Sequence, residues 1–494
     1  MIERYRDLRI ARIWSNKHKL ELWQKTELAV IMAMVGLSMI AEEIYFQIEQ
    51  ALKKHPINLK WWKEKEKELK HDLAAFLAER ERHIPPHLRI YFHRTITSYD
   101  TEEPAFATML KESIAVVKEH CAELEETITG MAVKYRYAIM LGVTHGQEGE
   151  LITFGKRCLE WLQIIRINLD NLRKAEENLR YSKLSGAMGN YGSISPDLEE
   201  KALEILGFKP FYGATQIMPR EFYAPIGQAL CQLALSLAKI GLDIRLGARS
   251  GNPIYQEPFG KKQKGSSAMP HKKNTIKSEQ GEGMSRVAVG ELVTIMLNII
   301  TWEERAIEQS SAERIVWPDL FHDVIQSLKT MNNTLKGLAV YPDNMLLRVR
   351  EAHGSYASSE AKEFLKQFGL AFGISTDDAY RIIQLAAFNA FEPGKLRKEL
   401  RDIIPASLSE ADNLLVKVGN IADLGPISIR DIIAGGRLRF SDQLDISEEK
   451  VGEWNAILIK MFDDEQTKKE WDQIFLPSYL LRNEETLYQK ILNI

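Results

Sequence analysis

Apolar positions recur along much of this chain at helical spacing. Between residues 106 and 140, Leu110, Ile114, Val117, Cys121, Leu124, Ile128 and Met131 alternate in steps of four and three with charged residues between them, which predicts a long helix with one continuous apolar seam. Val289, Leu292, Met296 and Ile299 repeat the pattern, and so do Val324, Leu328, Met331, Leu335 and Leu338. Residues 159–181 and 222–247 also read as helical. Runs that alternate in the manner of a strand are nearly absent, so the middle of the chain is expected to be a bundle of long helices, and seams left exposed on such helices invite partner chains. Tyr99-Asp100 with Pro104 predict a turn before the first long helix, and YPDNM at 341–345 with Gly354 predict a break after the last. The expectation is a mostly α protein of three domains: 1–104, 105–348 with the central bundle, and a helical 349–494.

The most apolar run, 29–41, lies between Glu27 and the Glu42-Glu43 pair. It is too short for the roughly 20 residues that span a bilayer and reads as a buried core helix. The N-terminus carries a charge every two or three residues with no apolar stretch that would serve as a signal peptide. Across 494 residues the net charge is −3, with 27% charged residues, so nothing global points to a nucleic-acid or membrane partner. Three cysteines, Cys121, Cys158 and Cys231, have no CxxC spacing. Their odd number fits a reducing, cytoplasmic compartment and argues against a disulfide framework or a zinc site.

One loop concentrates unusual chemistry. QEPFGKKQKGSSAMPHKKNTIKSEQ, residues 256–280, is too polar for a core. Gly260 and Gly265 have P-loop spacing, but serines stand where the lysine is required and no apolar strand precedes them. The lysines lack the interleaved aromatics of a single-strand binding surface. His83 and His87 in HIPPH are separated by two prolines, which prevent the helical presentation a metal pair uses. Four polar clusters stand out within helical sequence: KHDLAAF (70–76), HRTITSYD (93–100), GVTHGQEGELITFG (142–155) and GSSAMPHKKN (265–274). Taken singly, a histidine such as His145 reads as a helix-start or satisfied polar residue.

In this order, the four clusters resemble the fumarase/aspartase superfamily, with GSSAMPHKKN as its signature, and within it the adenylosuccinate lyase family. MIERY at the N-terminus, KLSGAMG (183–189), Thr215-Gln216, SSAER (310–314) and DDAYRIIQ (377–384) carry the same resemblance, which reaches to about residue 390. It implies a three-domain fold whose long-helix bundle forms a homotetramer with active sites shared between subunits, no cofactor or metal, and release of fumarate by β-elimination of a C–N bond.

By position in the motifs, the resemblance makes Ser266 the base, Lys272 and Asn274 the holders of the growing carboxylate charge, and His145 the general acid. His71 becomes its substrate-orienting partner and Glu279 an acidic residue paired with a histidine. His93, Thr97, Ser98, Gln216, Ser267 and Met269 match substrate contacts; Arg4, Tyr5, Arg305, Ser310 and Arg314 match a phosphate site, where guanidinium forks suit phosphate oxygens. Gly260 and Gly265 are expected as hinges of a closing loop. The chain departs from the family at Leu151 and Ile152, at Glu148 and Glu150, at Gln309 and at Thr275. Two rivals stand beside this expectation: a lyase of the same superfamily acting on another adduct, and a non-catalytic descendant that keeps the bundle.

Overall fold

Ser15 accepts a hydrogen bond from the His18 amide and so caps the first long helix, α1 (Asn16–Gly36). The computed structural model describes residues 1–391 and 428–493. After α1 come α2 (Asp72–Glu81), with His71 as its N-cap residue, and α3 (Ser98–Lys134). A hairpin of β1 (Ile139–Thr144) and β2 (Gln147–Thr153) separates α3 from α4 (Phe154–Glu176). Then follow α5 (Ala224–Gly247), α6 (Ile276–Leu297), α7 (Glu308–Lys336), α8 (Pro342–Glu351) and α9 (Thr376–Ala390). Among the described residues no helix is long and apolar enough to cross a membrane.

The seam predicted on α3 is buried at all seven positions, and so is the seam of α7 from Val324 to Leu335, with Leu338 buried just past the helix end. The seam of α6 behaves differently. Val289 and Met296 are 39% and 37% exposed, and Val293 and Leu297 beside them are 53% and 59% exposed. The apolar run after Glu27 is a core helix only as far as Gly36: Ala29, Val30, Ile31, Ala33 and Met34 are buried, whereas Leu37 and Met39 follow the helix end and are exposed.

Three expectations need correction. Tyr99 and Asp100 lie in the first turn of α3 rather than in a turn before it, and Pro104 stands inside the helix. The helix stops at Lys134, short of residue 140. The segment 142–155 is not embedded in helix. Thr144 pairs with Gln147, so His145 and Gly146 form a two-residue loop with φ of 53° and 77°. Positive φ at both loop residues is the geometry that matches the twist of a hairpin.

The described chain falls into two units by contact. The first comprises Met1–Leu124, Ile164–Leu242 and Ile276–Asn333; the second comprises Glu125–Gln163, Asp243–Thr275 and Thr334–Ile494. In the second unit Ile139, Leu141 and Leu151 of the hairpin share a core with Leu346 and Val349 of α8, Ile382 and Ile383 of α9, and Trp454 and Trp471. The last two come from α10 (Glu448–Met461) and α11 (Glu465–Gln473), so part of the C-terminal tail is core rather than appendage. Of the tail from 391 onward, 392–427 and 494 lie outside the described residues.

Candidate active site

In the second unit, the signature loop is held by its own backbone. Ser266 Oγ accepts from the amides of Ala268 at 3.3 Å and Met269 at 3.1 Å, and Asn274 Nδ2 donates to the Gly265 carbonyl at 2.8 Å. A Cβ at Gly265 would collide with the Lys272 carbonyl. Glycine is therefore required here for close approach of the loop's two limbs, whereas a Cβ at Gly260 would make only ordinary contact with Gln263. The consequence for chemistry is direct. Two amide donors aimed at a serine oxygen favour its anionic form, the form a serine base must reach. Ser267, Met269 and Lys272 are exposed on the same loop, and Lys273 lies over the Phe259 ring.

His145 is exposed at the hairpin tip. The departures at 148–152 follow from the strand: Leu151 pairs with Leu141 and is buried in the core, whereas Glu150 faces solvent. A proline at 151 would have no amide to offer the ladder.

The first unit holds most of the other motif residues, in two connected groups. In one, His93 Nδ1 lies 2.9 Å from Glu27 Oε1, and the His93 amide donates to Glu27 Oε2 at 3.1 Å. Thr97 N donates to Asp100 Oδ2 at 2.8 Å, and Lys183 pairs with Asp100 Oδ1 at 2.7 Å with both side chains fully buried. Lys183 also donates to the carbonyls of Gly186 and Gln216. Gln216 Oε1 in turn accepts from Arg305 at 2.9 Å, and the Arg305 guanidinium lies 4.0 Å from the centre of the Tyr99 ring. Thr97, Gln216 and Arg305 thus share one network organised by a buried ion pair, and His93 is held separately by Glu27. Removing one member of such a pair generally costs about 3–5 kcal/mol.

The second group surrounds a cavity of about 260 Å³ lined by Lys19, Asp72, Tyr99, Glu102, Ser310 and Arg314, with three tryptophans, Trp14, Trp23 and Trp62, forming apolar wall. His71 Nδ1 accepts from Ala74 N at the start of α2 and the ring is half exposed. Asp72 beside it receives Lys19 at 3.3 Å and Arg314 at 3.1 Å. Burial alone would raise the Asp72 carboxyl, but the charges of Lys19 and Arg314 outweigh it and hold it below the usual carboxylate range. Arg220, Glu103 and Glu313 also line the cavity: Arg220 donates to Glu313 and Glu103, and Tyr223 donates to Glu103. The glutamate of SSAER is therefore occupied by Arg220. Gln309, 1% exposed, donates to Tyr99 Oη at 3.1 Å.

Arg4 is exposed and Tyr5 half-buried in a short 3-10 turn, and Glu279 is exposed in the first turn of α6 without an ion-pair partner among the described residues. Sequence reasoning missed Lys19, Glu27, Glu102, Asp100, Lys183 and Arg220. Glu27 had one visible signal, a charge at the edge of the most apolar run.

A family profile described as lyase matches residues 6–290. Adenylosuccinate lyase of Aquifex aeolicus is 36% identical over 399 residues, covering 81% of this chain and 90% of that protein. This chain belongs to the adenylosuccinate lyase family. The Bacillus subtilis adenylosuccinate lyase is 31% identical over 79% of the chain and 89% of its own length. Among solved structures, β-carboxy-cis,cis-muconate cycloisomerase of Acinetobacter calcoaceticus matches with a TM-score of 0.74 at 17% identity, covering 98% of this chain and 97% of that one. A fumarate lyase from Mesorhizobium matches at 0.69 and 16% identity, covering 96% and 99%. Those two likenesses concern the fold. Membership in the family makes the chain a C–N lyase.

Proposed function

We propose that this protein eliminates fumarate from adenylosuccinate, giving AMP, and from the succinylcarboxamide ribotide of purine synthesis. The observation that carries the proposal is the Ser266 oxygen, held by two backbone amides inside an unbroken GSSAMPHKKN motif in a chain that spans nine-tenths of a named adenylosuccinate lyase. Ser266, as the alkoxide, takes the proton from the carbon next to the succinyl carboxylate, and the electron pair is delocalised into an aci-carboxylate. Lys272 and Asn274 hold that growing charge. The pair then returns to form the fumarate double bond as the C–N bond breaks, and His145 delivers a proton to the departing nitrogen. His71 orients the substrate, with Glu279 as the acidic partner of a histidine. His93, Thr97, Ser98, Gln216, Ser267 and Met269 contact substrate, and Arg4, Tyr5, Arg305, Ser310 and Arg314 take its phosphate. No metal or cofactor has a step to perform in this scheme.

The same proposal includes the three-domain division at 104 and 348, a cytoplasmic location and a homotetramer with shared sites. The exposed apolar stripe of α6, Val289, Val293, Met296 and Leu297, supports the last of these, since a second copy would cover it.

Purified protein is mixed with adenylosuccinate and the loss of ultraviolet absorbance followed. Wild type is expected to turn over without added metal, and Ser266→Ala and His145→Ala to lose at least ~100-fold in kcat, the scale of a missing general base or acid. An inactive wild type, or two variants that both keep their rate, would overturn the assignment.

A further inference from the structure

Glu27 is 1% exposed on α1, next to the apolar run that packs the core. A carboxylate taken out of water costs several kcal/mol unless its lone pairs are met, and an apolar residue of similar volume is often the more stable choice. Here three donors meet it: the His93 amide, His93 Nδ1, and Thr101 Oγ1 at 2.7 Å. Two of the three belong to one residue, and that residue is strained. His93 has φ of 54°, and Thr95 two positions on has φ of 70°, a region that a β-branched side chain rarely enters. Ser193 Oγ donates to the Thr95 carbonyl and Asp100 accepts from Thr97, so the strained turn is held from several sides.

The ring's orientation follows. With Nδ1 committed to Glu27, Nε2 has no hydrogen-bond partner among the described residues, and the side chain keeps 19% of its exposure. His93 therefore offers a single edge outward, four and five residues before Thr97 and Ser98 at the start of α3.

We propose that Glu27 is a positioning residue that fixes the His93 ring through Nδ1 and the His93 amide, so that Nε2 is presented to an anionic oxygen of the substrate. The inference rests on the proposed lyase function for the identity of that substrate, but the pair itself can be tested without it. Burial lowers the imidazole's affinity for its proton, yet the hydrogen bond and charge of Glu27, followed by the charges of Asp100 and Glu81, outweigh burial and raise it above the ordinary value. Glu27 lies on α1, Asp100 on α3 and Glu81 on α2; Arg89 faces Glu81 and tempers its charge. The cation therefore persists to higher pH than in a free imidazole and is lost as pH rises through the raised value.

A purely structural tether predicts a different pattern from a positioning residue. Glu27→Gln keeps the shape and one acceptor but removes the charge. With histidine labelled at Cε1 and the His93 signal assigned from a His93→Gln variant, the His93 titration is expected to move toward 6.5 in Glu27→Gln. In Thr101→Val, which removes a donor that competes for the same carboxylate, it should move the other way. Opposite shifts in two variants do not arise from loss of stability. In turnover, Glu27→Gln should move the basic limb of kcat/KM to lower pH, with KM bearing most of the loss on that limb. Fumarate, which carries carboxylates, and AMP, which carries a phosphate, are titrated separately by calorimetry, and the ligand that loses affinity in the variant names the group His93 meets. A His93 titration unchanged in both variants overturns the inference, as does unchanged affinity for both ligands. An inactive wild type with the two shifts intact would sink the lyase proposal and leave the pair standing.

Discussion

Arg314 Nη2 stands 3.1 Å from Asp72 Oδ2, which joins the last residue of SSAER to the residue after His71 in one wall of the cavity. Arg314 is half exposed, so the ion pair alone is worth at most about 1 kcal/mol. A contact with a substrate phosphate is worth more. Arg314→Ala is expected to weaken AMP binding by about 1.5–3 kcal/mol, the range of a charge-assisted hydrogen bond. The double variant with Asp72→Asn separates the two roles: if the loss in Arg314→Ala persists at full size when Asp72 is already neutral, it belongs to the nucleotide. AMP inhibition unchanged in Arg314→Ala would remove this residue from the phosphate site.

Glu102 lines the same cavity, and its carboxyl is pushed up to about 7 by burial first and by the charge of Asp72 second, against Lys19, Arg314 and Arg305. A carboxyl whose folded value is raised binds its proton in the native state while the unfolded chain has already lost it. The native state therefore carries the extra proton between about pH 4.5 and 7, and stability falls as pH rises across that window. Glu102→Gln should flatten this fall. Melting temperatures of the two proteins are expected to be close at pH 5 and to diverge by pH 8, with the variant higher. A variant that melts lower than wild type at pH 8 would mean that ionised Glu102 has a stabilising partner.

How far the sequence revealed these features depended on how local each signal was. The seam of α3 needs no partner to be read, because seven apolar residues at steps of four and three can only line one helix face. The signature loop was legible for the same reason: Ser266 with the Ala268 and Met269 amides, and Asn274 with the Gly265 carbonyl, make their hydrogen bonds within ten positions. The hairpin at 139–153 was missed because Gly142 interrupts β1 and Glu148, Gly149 and Glu150 crowd the start of β2, so neither strand shows a clean alternation. The dipeptide His145-Gly146 between Thr144 and Gln147 was its available turn signal. Glu27 with His93, 66 positions apart, and Lys183 with Asp100, 83 apart, are pairs that only the fold brings together. No spacing rule reaches such distances, and these charges are what holds the recognised motif residues in place.

How many chains build one site follows from where the acid and the base lie. Ser266 lies in the signature loop and His145 at the tip of a two-residue hairpin, and no hydrogen bond joins them among the described residues. The exposed stripe of α6 supplies a surface for further copies. If the proposed tetramer shares its sites, the acid and the base come from different chains, and two dead variants can repair each other. His145→Ala and Ser266→Ala proteins are unfolded together in equal amounts and refolded. With random mixing in a closed symmetric tetramer, half the histidine positions and half the serine positions facing any site are wild type, so roughly a quarter of the sites are complete. Activity should return to about that fraction of wild type, whereas each variant refolded alone stays inactive. Were both residues supplied by one chain, every chain would lack one of them and no mixture could recover. Mass spectrometry of intact assemblies shows whether hybrids have formed. Confirmed hybrids as inactive as their parents would mean that His145 and Ser266 do not act across subunits.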